Sequence, residues 1–325
     1  MSAAAAAFEP PPQSVGWKAL GSYVHLQLAD AARLDEGRVL AEAVLEEVDR
    51  SCSRFRLDSD LTRANGRPGL WTPVSPVLAA AVQVALEAAR HTGGLVDPAL
   101  GAVMVAAGYD RTFDLLTADT AEPAALPIPV RPGAWQEIRA TRRAVFVPHG
   151  VRLDLGATGK AFAADLAAAQ VCDRLDTPTA ISVGGDVAVA APRRQARVWP
   201  VAVAETFEDL QTSSDDVTLV TLSAGGLATS TVRARRWRRG GREWHHVIDP
   251  RNGLPVDGPW RSATALGHTC TAANTATTAA LVLGEGAMDW LDRHRVAAVL
   301  VDRDGGRHPT RAWADTVEAR FRDRA

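Results

Sequence analysis

Cysteine is scarce in this chain of 325 residues, which contains three: Cys52, Cys172 and Cys270. Their number is odd and no two have a short Cys-x-x-Cys spacing, so neither a disulfide framework nor a zinc knuckle is predicted. The N-terminus lacks the basic start and apolar run of a secretory signal, and no stretch approaches the ~18 consecutive apolar residues of a membrane span. These absences predict a cytoplasmic protein with no membrane span.

An excess of charge is missing as well, because 36 Lys and Arg against 38 Asp and Glu give a formal net charge of -2. Such a balance gives no indication of a polyanionic partner. The sequence has neither a Gly-x-Gly-x-x-Gly nor a Gly-x-x-x-x-Gly-Lys phosphate loop, and no internal repeat. With 46% apolar and 23% charged residues, it has the composition of a globular protein with a large core.

Hydrophobic periodicity predicts a mixture of helices and strands. Helices are predicted over 41–52, 76–91, 159–175 and 271–283. Strands are predicted over 22–28, over 144–147, up to 155, from 181 through 185, near 201, and over 217–222, 246–248 and 296–301. A long proline-rich loop is predicted around 123–132. Because strands and helices follow no regular βαβ rhythm, the pattern favours an α+β fold.

Four short polar segments could carry chemistry, and they cover 153–165, 181–186, 244–253 and 271–278. Lys160 follows a glycine-flanked turn at a predicted helix start, which favours anions such as phosphate. His246 precedes a turn and could act as an acid, a base or a phosphate partner. Asn274 and Thr278 share one helix face. Each segment also has a plainer interpretation, namely a turn, a β-bulge, a solvated histidine or a tightly packed helix.

Taken together, the segments resemble the ApbE family of FAD:protein FMN transferases in order and rough spacing. The motifs are Asp154-Leu-Gly-Ala-Thr-Gly-Lys160 closed by Asp165, Val183-Gly-Gly-Asp186, Ala228-Thr-Ser230 and His246-Val-Ile-Asp-Pro-Arg-Asn-Gly253. The N-terminal half adds Leu20-Gly-Ser22, Ser53-Arg-Phe55 with Asn65, Gly94-Leu-Val-Asp-Pro98 and Gly108-Tyr109. The resemblance spans about residues 19–302.

The resemblance implies an α+β fold of ApbE-like, T-fold-related type, with mixed sheets and packed helices in a single large domain. That domain is expected over 17–315. A disordered proline-rich tail, 1–16, would precede it, and a C-terminal tail, 316–325, would follow it.

The resemblance also implies an enzyme that cleaves the pyrophosphate of FAD with Mg²⁺, transfers FMN to a Ser or Thr hydroxyl of a partner flavoprotein, and releases AMP. The partner would carry a flavinylation motif that contains this hydroxyl. The implied catalytic residues are His246, Lys160 and Asp154. The implied FAD contacts are Leu20, Phe55, Leu95, Val96, Asp97, Asp154, Lys160, Gly184, Gly185, Asp186, Thr229, Ser230, His246 and Ile248. The implied metal ligands, all hard oxygens, are the Ala157 carbonyl, Asn274 and Thr278.

One departure from the family pattern keeps an alternative function open. Asn274 stands where the family has a metal-ligating Asp, and an amide supplies an oxygen without a negative charge. The alternative is an FAD-binding protein with little or no transferase activity. Ala161 and Thr231 also stand at positions where glycine is the family's residue, so two turns would be shaped differently.

A third hypothesis comes from the basic stretch 233–242, in which arginines are interleaved with Trp237 and followed by Trp244. Such a pattern is found in nucleic-acid-binding modules. The stretch also has the pattern of a charged hairpin with a glycine tip at 240–241. Because the chain as a whole is not basic, a nucleic-acid partner is not predicted. The hairpin could instead help to dock the acceptor protein.

Overall fold

A computed structural model describes residues 14–116, 130–195, 197–205 and 217–318. The largest element is an eight-stranded sheet in which every pairing is antiparallel. In spatial order its strands are β1 (Ser14–Ala19), β2 (Ser22–Leu28), β6 (Thr179–Val183), β7 (Asp186–Ala190), β10 (Gly225–Thr231), β13 (Trp260–Gly267), β14 (Ala298–Asp302) and β15 (Arg307–Pro309).

Smaller sheets flank this one. They are the three-stranded sheet β3 (Trp71–Pro73), β5 (Ala144–Phe146) and β4 (Arg139–Ala140), the pair β8 (Trp199–Val203) and β9 (Thr218–Leu222), and the hairpin β11 (Arg236–Arg239) and β12 (Arg242–His245). The pair β8–β9 lies against the large sheet, because Trp199 and Val220 share an apolar cluster with Val189 and Leu227.

The longer helices cover the other face of the large sheet, whereas Trp313 of the last, short helix packs in the same apolar cluster as β8–β9. The α-helices are α1 (Leu34–Cys52), α2 (Asp60–Asn65), α3 (Pro76–His91), α4 (Gly101–Ala106), α5 (Gly159–Leu175), α6 (Cys270–Leu283), α7 (Ala287–Arg293) and α8 (Arg311–Trp313). Single 3₁₀ turns occur at Ala31–Arg33, Phe113–Leu115, Ala134–Glu137 and Gly284–Gly286, and a π turn covers Ala314–Glu318.

Local chemistry explains where the main helices begin. At α3, the Ser75 hydroxyl accepts a hydrogen bond from the Leu78 N–H at 3.2 Å, and Pro76 takes the first position, where no backbone donor is needed.

The apolar residues of α1 and α5, among them Val44 and Val171, pack in one core with Leu26 and Ile181 of the sheet. The α+β prediction is confirmed, and the predicted helices 76–91 and 159–175 have the predicted bounds.

The paired glycines of the second polar segment correct one expectation. The sequence predicts a strand that runs through 184–185, whereas Gly184 and Gly185 form the two-residue turn between β6 and β7. Both glycines have positive φ, +62° and +93°, and such values favour glycine in a tight hairpin turn. Val183 and Asp186 are therefore opposite each other at the tip of the hairpin.

Two other strand predictions are displaced. The segment that ends at Leu155 is not a strand of any sheet, because its one β-type pairing is an isolated bridge between Arg152 and Leu100. The strand expected over 246–248 ends earlier, at His245, because its partner is the neighbouring arginine-rich strand. The predicted loop around 123–132 falls mostly on residues 117–129, outside the described part of the chain.

The predicted domain limits differ at both ends. Residues 14–16, assigned to the N-terminal tail, form the first half of β1 and pair with β2. The last turn, Ala314–Glu318, extends into the segment assigned to the C-terminal tail. The three cysteines are free and buried, and no helix in the described residues is long and apolar enough to cross a membrane.

Candidate active site

One large cavity, of about 1520 Å³, brings together every site residue proposed from the sequence. It lies beside the β1–β2 and β6–β7 turns, the start of α5 and the middle of α6. The lining includes Leu20, Phe55, Leu95, Val96, Asp97, Asp154, Ala157, Lys160, Gly184, Gly185, Asp186, Thr229, Ser230, His246, Ile248, Asn274 and Thr278. Residues that are up to 258 positions apart in the sequence, Leu20 and Thr278, thus border one space.

Asp154 is fixed at the entry to α5. Its Oδ1 accepts a hydrogen bond from the Gly156 N–H at 2.6 Å, and its Oδ2 lies 2.8 Å from Nε of Arg54, with both side chains nearly buried. Asn65 holds the preceding segment, because its amide donates to the Leu153 carbonyl and accepts from the Leu153 N–H. The aspartate therefore fixes the turn and an arginine rather than projecting freely into the cavity.

Lys160, Asp186 and Asn274 form a polar chain in which the aspartate and the asparagine are buried. Nζ of Lys160 lies 3.6 Å from Oδ2 of Asp186, and Nδ2 of Asn274 donates to Oδ1 of Asp186 at 3.3 Å. Burial raises the pKa of Asp186, while the Lys160 charge acts in the opposite direction. A methyl group on Gly184 would come within 3.3 Å of the lysine Nζ and 2.7 Å of the Ser22 hydroxyl, so glycine permits this close approach.

Hydroxyl groups continue the polar lining from β10 to α6. The Ser230 hydroxyl lies 2.8 Å from that of Thr277 and 3.3 Å from that of Thr278. The Thr277 hydroxyl also donates to the backbone carbonyl of Asn274 at 2.9 Å. Asp165, which closes the motif in the sequence, is not part of the lining. It accepts hydrogen bonds from the backbone N–H groups of Cys270 and Thr271, which caps the start of α6.

His246 is held in its neutral form. Its Nδ1 lies 3.2 Å from the Ala234 carbonyl. Because a carbonyl only accepts, Nδ1 carries the proton and Nε2 keeps its lone pair. Burial, assisted by the charges of Arg235 and Lys160, lowers the pKa of His246 to about 3. The adjacent His245 does not share this role, because its Nε2 contacts the Val256 carbonyl at 3.1 Å.

The remaining lining is largely apolar. The Phe55 and Tyr109 ring centroids lie 5.8 Å apart, and the Arg54 guanidinium lies 4.2 Å and 4.5 Å from them. Tyr109 shares an apolar cluster with Ile248. Asp97 is the buried carboxyl in this part, and burial raises its pKa to about 6 although its Oδ1 accepts from the Ala99 N–H. This lining suits a flat, partly polar ring.

Among the lining residues for which the sequence implies no role are four that contribute polar or aromatic groups: Ser22, Arg54, Tyr109 and Arg235. Arg54 and Tyr109 occur within segments that resemble the family, so their neighbours were a usable signal. Arg235 was grouped with the basic stretch, but its φ of 49° and its contact with the Ser22 hydroxyl direct it to the cavity. No local pattern distinguishes it from the exposed arginines beside it.

The arginine-rich stretch is the predicted hairpin, with Gly240 and Gly241 at its tip. Trp237 and Trp244 are 7% and 0% exposed, and the Trp237 ring donates to the Ala107 carbonyl. Stacking on nucleic-acid bases requires exposed rings. The structure therefore gives these two tryptophans no part in binding bases.

Oxygen atoms that suit a hard cation occur in the polar lining. Asn274 Oδ1 is buried without a hydrogen-bond partner, which leaves it available to a ligand. Asp186 Oδ2 faces only the Lys160 ammonium, at 3.6 Å. Thr278 and the backbone of Ala157 border the same cavity. In the described residues no three His, Cys, Asp or Glu side chains cluster as a metal site. The donor set fits Mg²⁺, which accepts carbonyl, carboxylate and hydroxyl oxygens.

Comparison with known proteins gives a consistent result. The ApbE family model matches residues 20–300. The FAD:protein FMN transferase of Haemophilus influenzae is 25% identical over 332 residues, which cover 93% of this chain and 90% of that protein. That of Rhodobacter capsulatus is 32% identical over 261 residues, which cover 76% of this chain and 47% of that protein.

Solved structures show the same fold. The ApbE protein of Thermotoga maritima aligns with a TM-score of 0.74 at 22% identity, over 94% of this chain and 98% of that chain. The apo flavinyl transferase ApbE of Pseudomonas stutzeri aligns with a TM-score of 0.73 at 19% identity, over 94% and 96%. The ApbE-like fold expected from the sequence is confirmed.

Proposed function

Because this chain belongs to the ApbE family, we propose that it is an FAD:protein FMN transferase that attaches FMN to a hydroxyl of a partner flavoprotein. The observation that carries the proposal is the single cavity, which contains all the residues implied by the resemblance. Its apolar lining is suited to the isoalloxazine ring. Its polar lining, with Lys160 and a helix start, is suited to a pyrophosphate.

The proposed reaction is a phosphoryl transfer. The oxygen of an acceptor Ser or Thr forms a bond to the FMN phosphorus, and the bond from that phosphorus to the bridging oxygen breaks. AMP leaves with the bridging oxygen and its electron pair. The acceptor proton passes to Nε2 of His246, which has a lone pair because Nδ1 is bound to the Ala234 carbonyl.

Lys160 is assigned to the pyrophosphate, where its charge would stabilise the developing negative charge. Asp154 is assigned a positioning role, because it already binds Gly156 and Arg54. A divalent cation, when bound by the Ala157 carbonyl, Asn274 and Thr278, would supply charge neutralisation at the pyrophosphate. We propose Mg²⁺ for this role.

The test is to incubate the protein with FAD, with and without Mg²⁺, and to measure retained FAD and released AMP by chromatography. We expect AMP only when Mg²⁺ is present and no chelator is added, with water in place of the acceptor hydroxyl as the nucleophile and free FMN as the second product. Bound FAD without AMP, with or without Mg²⁺, would favour the alternative of an FAD binder. Absence of FAD binding would refute both.

An acceptor test should follow. A candidate acceptor flavoprotein is incubated with the enzyme, FAD and Mg²⁺, and covalent FMN fluorescence is measured after denaturing electrophoresis. A matched acceptor in which the target Ser or Thr is replaced by Ala serves as the control. We expect fluorescence on the hydroxyl-bearing acceptor alone, with one AMP released for each FMN attached.

A further inference from the structure

Asp186 occupies an unusual position for a carboxylate. It is 2% exposed and follows directly after the Gly184–Gly185 turn, which aims it at the side chains of α5 and α6. Its Oδ1 accepts from Nδ2 of Asn274, and its Oδ2 has Lys160 Nζ at 3.6 Å but no hydrogen bond. A buried carboxylate whose second oxygen has only a 3.6 Å ion pair is costly for folding alone.

The contact with Asp186 decides the orientation of the Asn274 amide. An ionised carboxylate only accepts hydrogen bonds, so the amide must turn its NH₂ group towards Asp186. Its oxygen, Oδ1, then points away from Asp186, and it is buried with no partner. Asn274 is 8% exposed, and Thr278 lies one turn further along the same helix. The oxygen is thus held in a fixed direction without a protein partner.

The net charge of the proposed cation site also depends on Asp186. The Ala157 carbonyl, the Asn274 amide and the Thr278 hydroxyl are all neutral. Of the carboxylates in the described residues, Asp186 is the one that hydrogen-bonds Asn274. Asp165, close in sequence to Lys160, is occupied with the start of α6. A divalent cation bound to the Asn274 oxygen would therefore be linked to the negative charge of Asp186 by way of Asn274.

We propose that Asp186 is the acidic member of the divalent-cation site and acts through Asn274, orienting the amide oxygen and supplying the negative charge that the amide lacks. Asp186 is a positioning residue in this arrangement. Groups behind metal ligands commonly change metal affinity by about 10–100-fold when they are altered. The inference rests on the proposed function for the presence of a cation in this cavity.

The test measures binding of Mn²⁺ alone, without FAD, from the loss of the free-ion signal in electron paramagnetic resonance. We expect Asp186→Asn, which keeps the size of the side chain, to weaken Mn²⁺ binding at least about tenfold. The matched control is Asp173→Asn, which removes one exposed carboxylate at the far end of α5 and should leave Mn²⁺ affinity unchanged.

A reciprocal exchange makes the test decisive. The double variant Asp186→Asn with Asn274→Asp again has one carboxylate and one amide in contact, so we expect it to bind Mn²⁺ about as tightly as the wild type. Asn274→Asp alone places two carboxylates together. It should lower the thermal unfolding temperature without metal and give a larger stabilisation by Mn²⁺ than the wild type shows.

Two results would overturn the inference: Mn²⁺ affinity of Asp186→Asn equal to that of the wild type, or a folded double variant no tighter than Asp186→Asn. If Asp186→Asn does not fold, Asp186→Ser, which also removes the carboxylate, takes its place with the same expected loss of Mn²⁺ affinity, and Asp173→Ser becomes its control. The outcome is separable from the transferase proposal. If Asp186→Asn weakens Mn²⁺ binding but the wild type releases no AMP, the cation site is supported and the reaction is refuted. If the wild type releases AMP but Asp186→Asn binds Mn²⁺ normally, only the role of Asp186 is refuted.

Discussion

The cavity has a polar and an apolar lining, and the two differ in how they are built. The polar lining comprises Lys160, Asp186, Ser230, Asn274 and Thr278. The apolar lining comprises Phe55, Leu95, Val96, Tyr109 and Ile248. The first is held on a hairpin tip, a strand and two helices, and contains buried oxygens without a hydrogen-bond partner. In the second, Tyr109 and Ile248 continue into an apolar cluster. Folding alone explains the apolar contacts, whereas the unpartnered oxygens indicate a ligand.

Replacing His246, the proposed base, should lower the rate of AMP release more than any other change considered. In His246→Gln, loss of the Nε2 lone pair should lower AMP release at saturating FAD by about 10²–10⁴-fold, with FAD affinity little changed. The control is His268→Gln, which alters an exposed histidine outside the cavity lining. Single-turnover AMP formation checks the prediction. Near-normal turnover would exclude His246 as the base.

In the polar lining, Lys160→Met should lower the rate of AMP release by roughly 10²-fold, the usual cost of losing one donor to developing charge. Arg174→Met is the matched control, because it removes a cation from the last turn of the same helix. Rates at saturating FAD are compared for the two variants. Equal rates would mean that the polar lining does not contact the pyrophosphate.

The buried carboxyl of Asp97, next to the apolar lining, should make the free energy of unfolding depend on pH. Burial raises the pKa of Asp97 to about 6, from 3.8, so the folded protein binds this proton more tightly than the unfolded chain does. Its contribution to stability therefore falls as pH rises from about 4 to about 6, by up to about 2 kcal/mol. Asp97→Asn, which keeps an acceptor for Ala99, should stabilise the protein at about pH 8 and much less at about pH 4.

Urea unfolding of Asp97→Asn and wild type at both pH values measures this difference. Asp173→Asn, at an exposed position, should show no such pH dependence. An equal gain from Asp97→Asn at both pH values would mean that the carboxyl is not protonated preferentially in the folded state.

The smallest effect should come from the apolar lining itself. Phe55→Ala removes one ring face and should weaken FAD binding roughly tenfold, about 1.4 kcal/mol, while AMP release at saturating FAD stays within about twofold. Leu57→Ala is the control, because Leu57 is 93% exposed and lies outside the lining. Titration of FAD fluorescence measures the affinities. If Phe55→Ala instead lowered the rate of AMP release and left FAD affinity unchanged, the apolar lining would not be limited to binding.

Local sequence was sufficient for much of the fold. A capping Ser75, a proline at the first helical position and regular apolar spacing determined α3, and the same kind of spacing determined α5. Glycines at 240–241 between two charged strands determined the β11–β12 hairpin. The motif residues were also recognisable in the sequence, because their order and spacing resemble one family. The residues given a role in FAD or metal binding line one cavity.

Tertiary structure decided which partner each polar group obtained. Asp165 looks like part of the site in the sequence, but packing of α5 against α6 places it on the Cys270 and Thr271 N–H groups. Arg235 looks like its neighbours until a positive φ directs it inwards. Asp186 and Asn274 are 88 residues apart and meet only after β7 and α6 are in place. Sequence patterns report near neighbours along the chain, whereas these contacts depend on long-range packing.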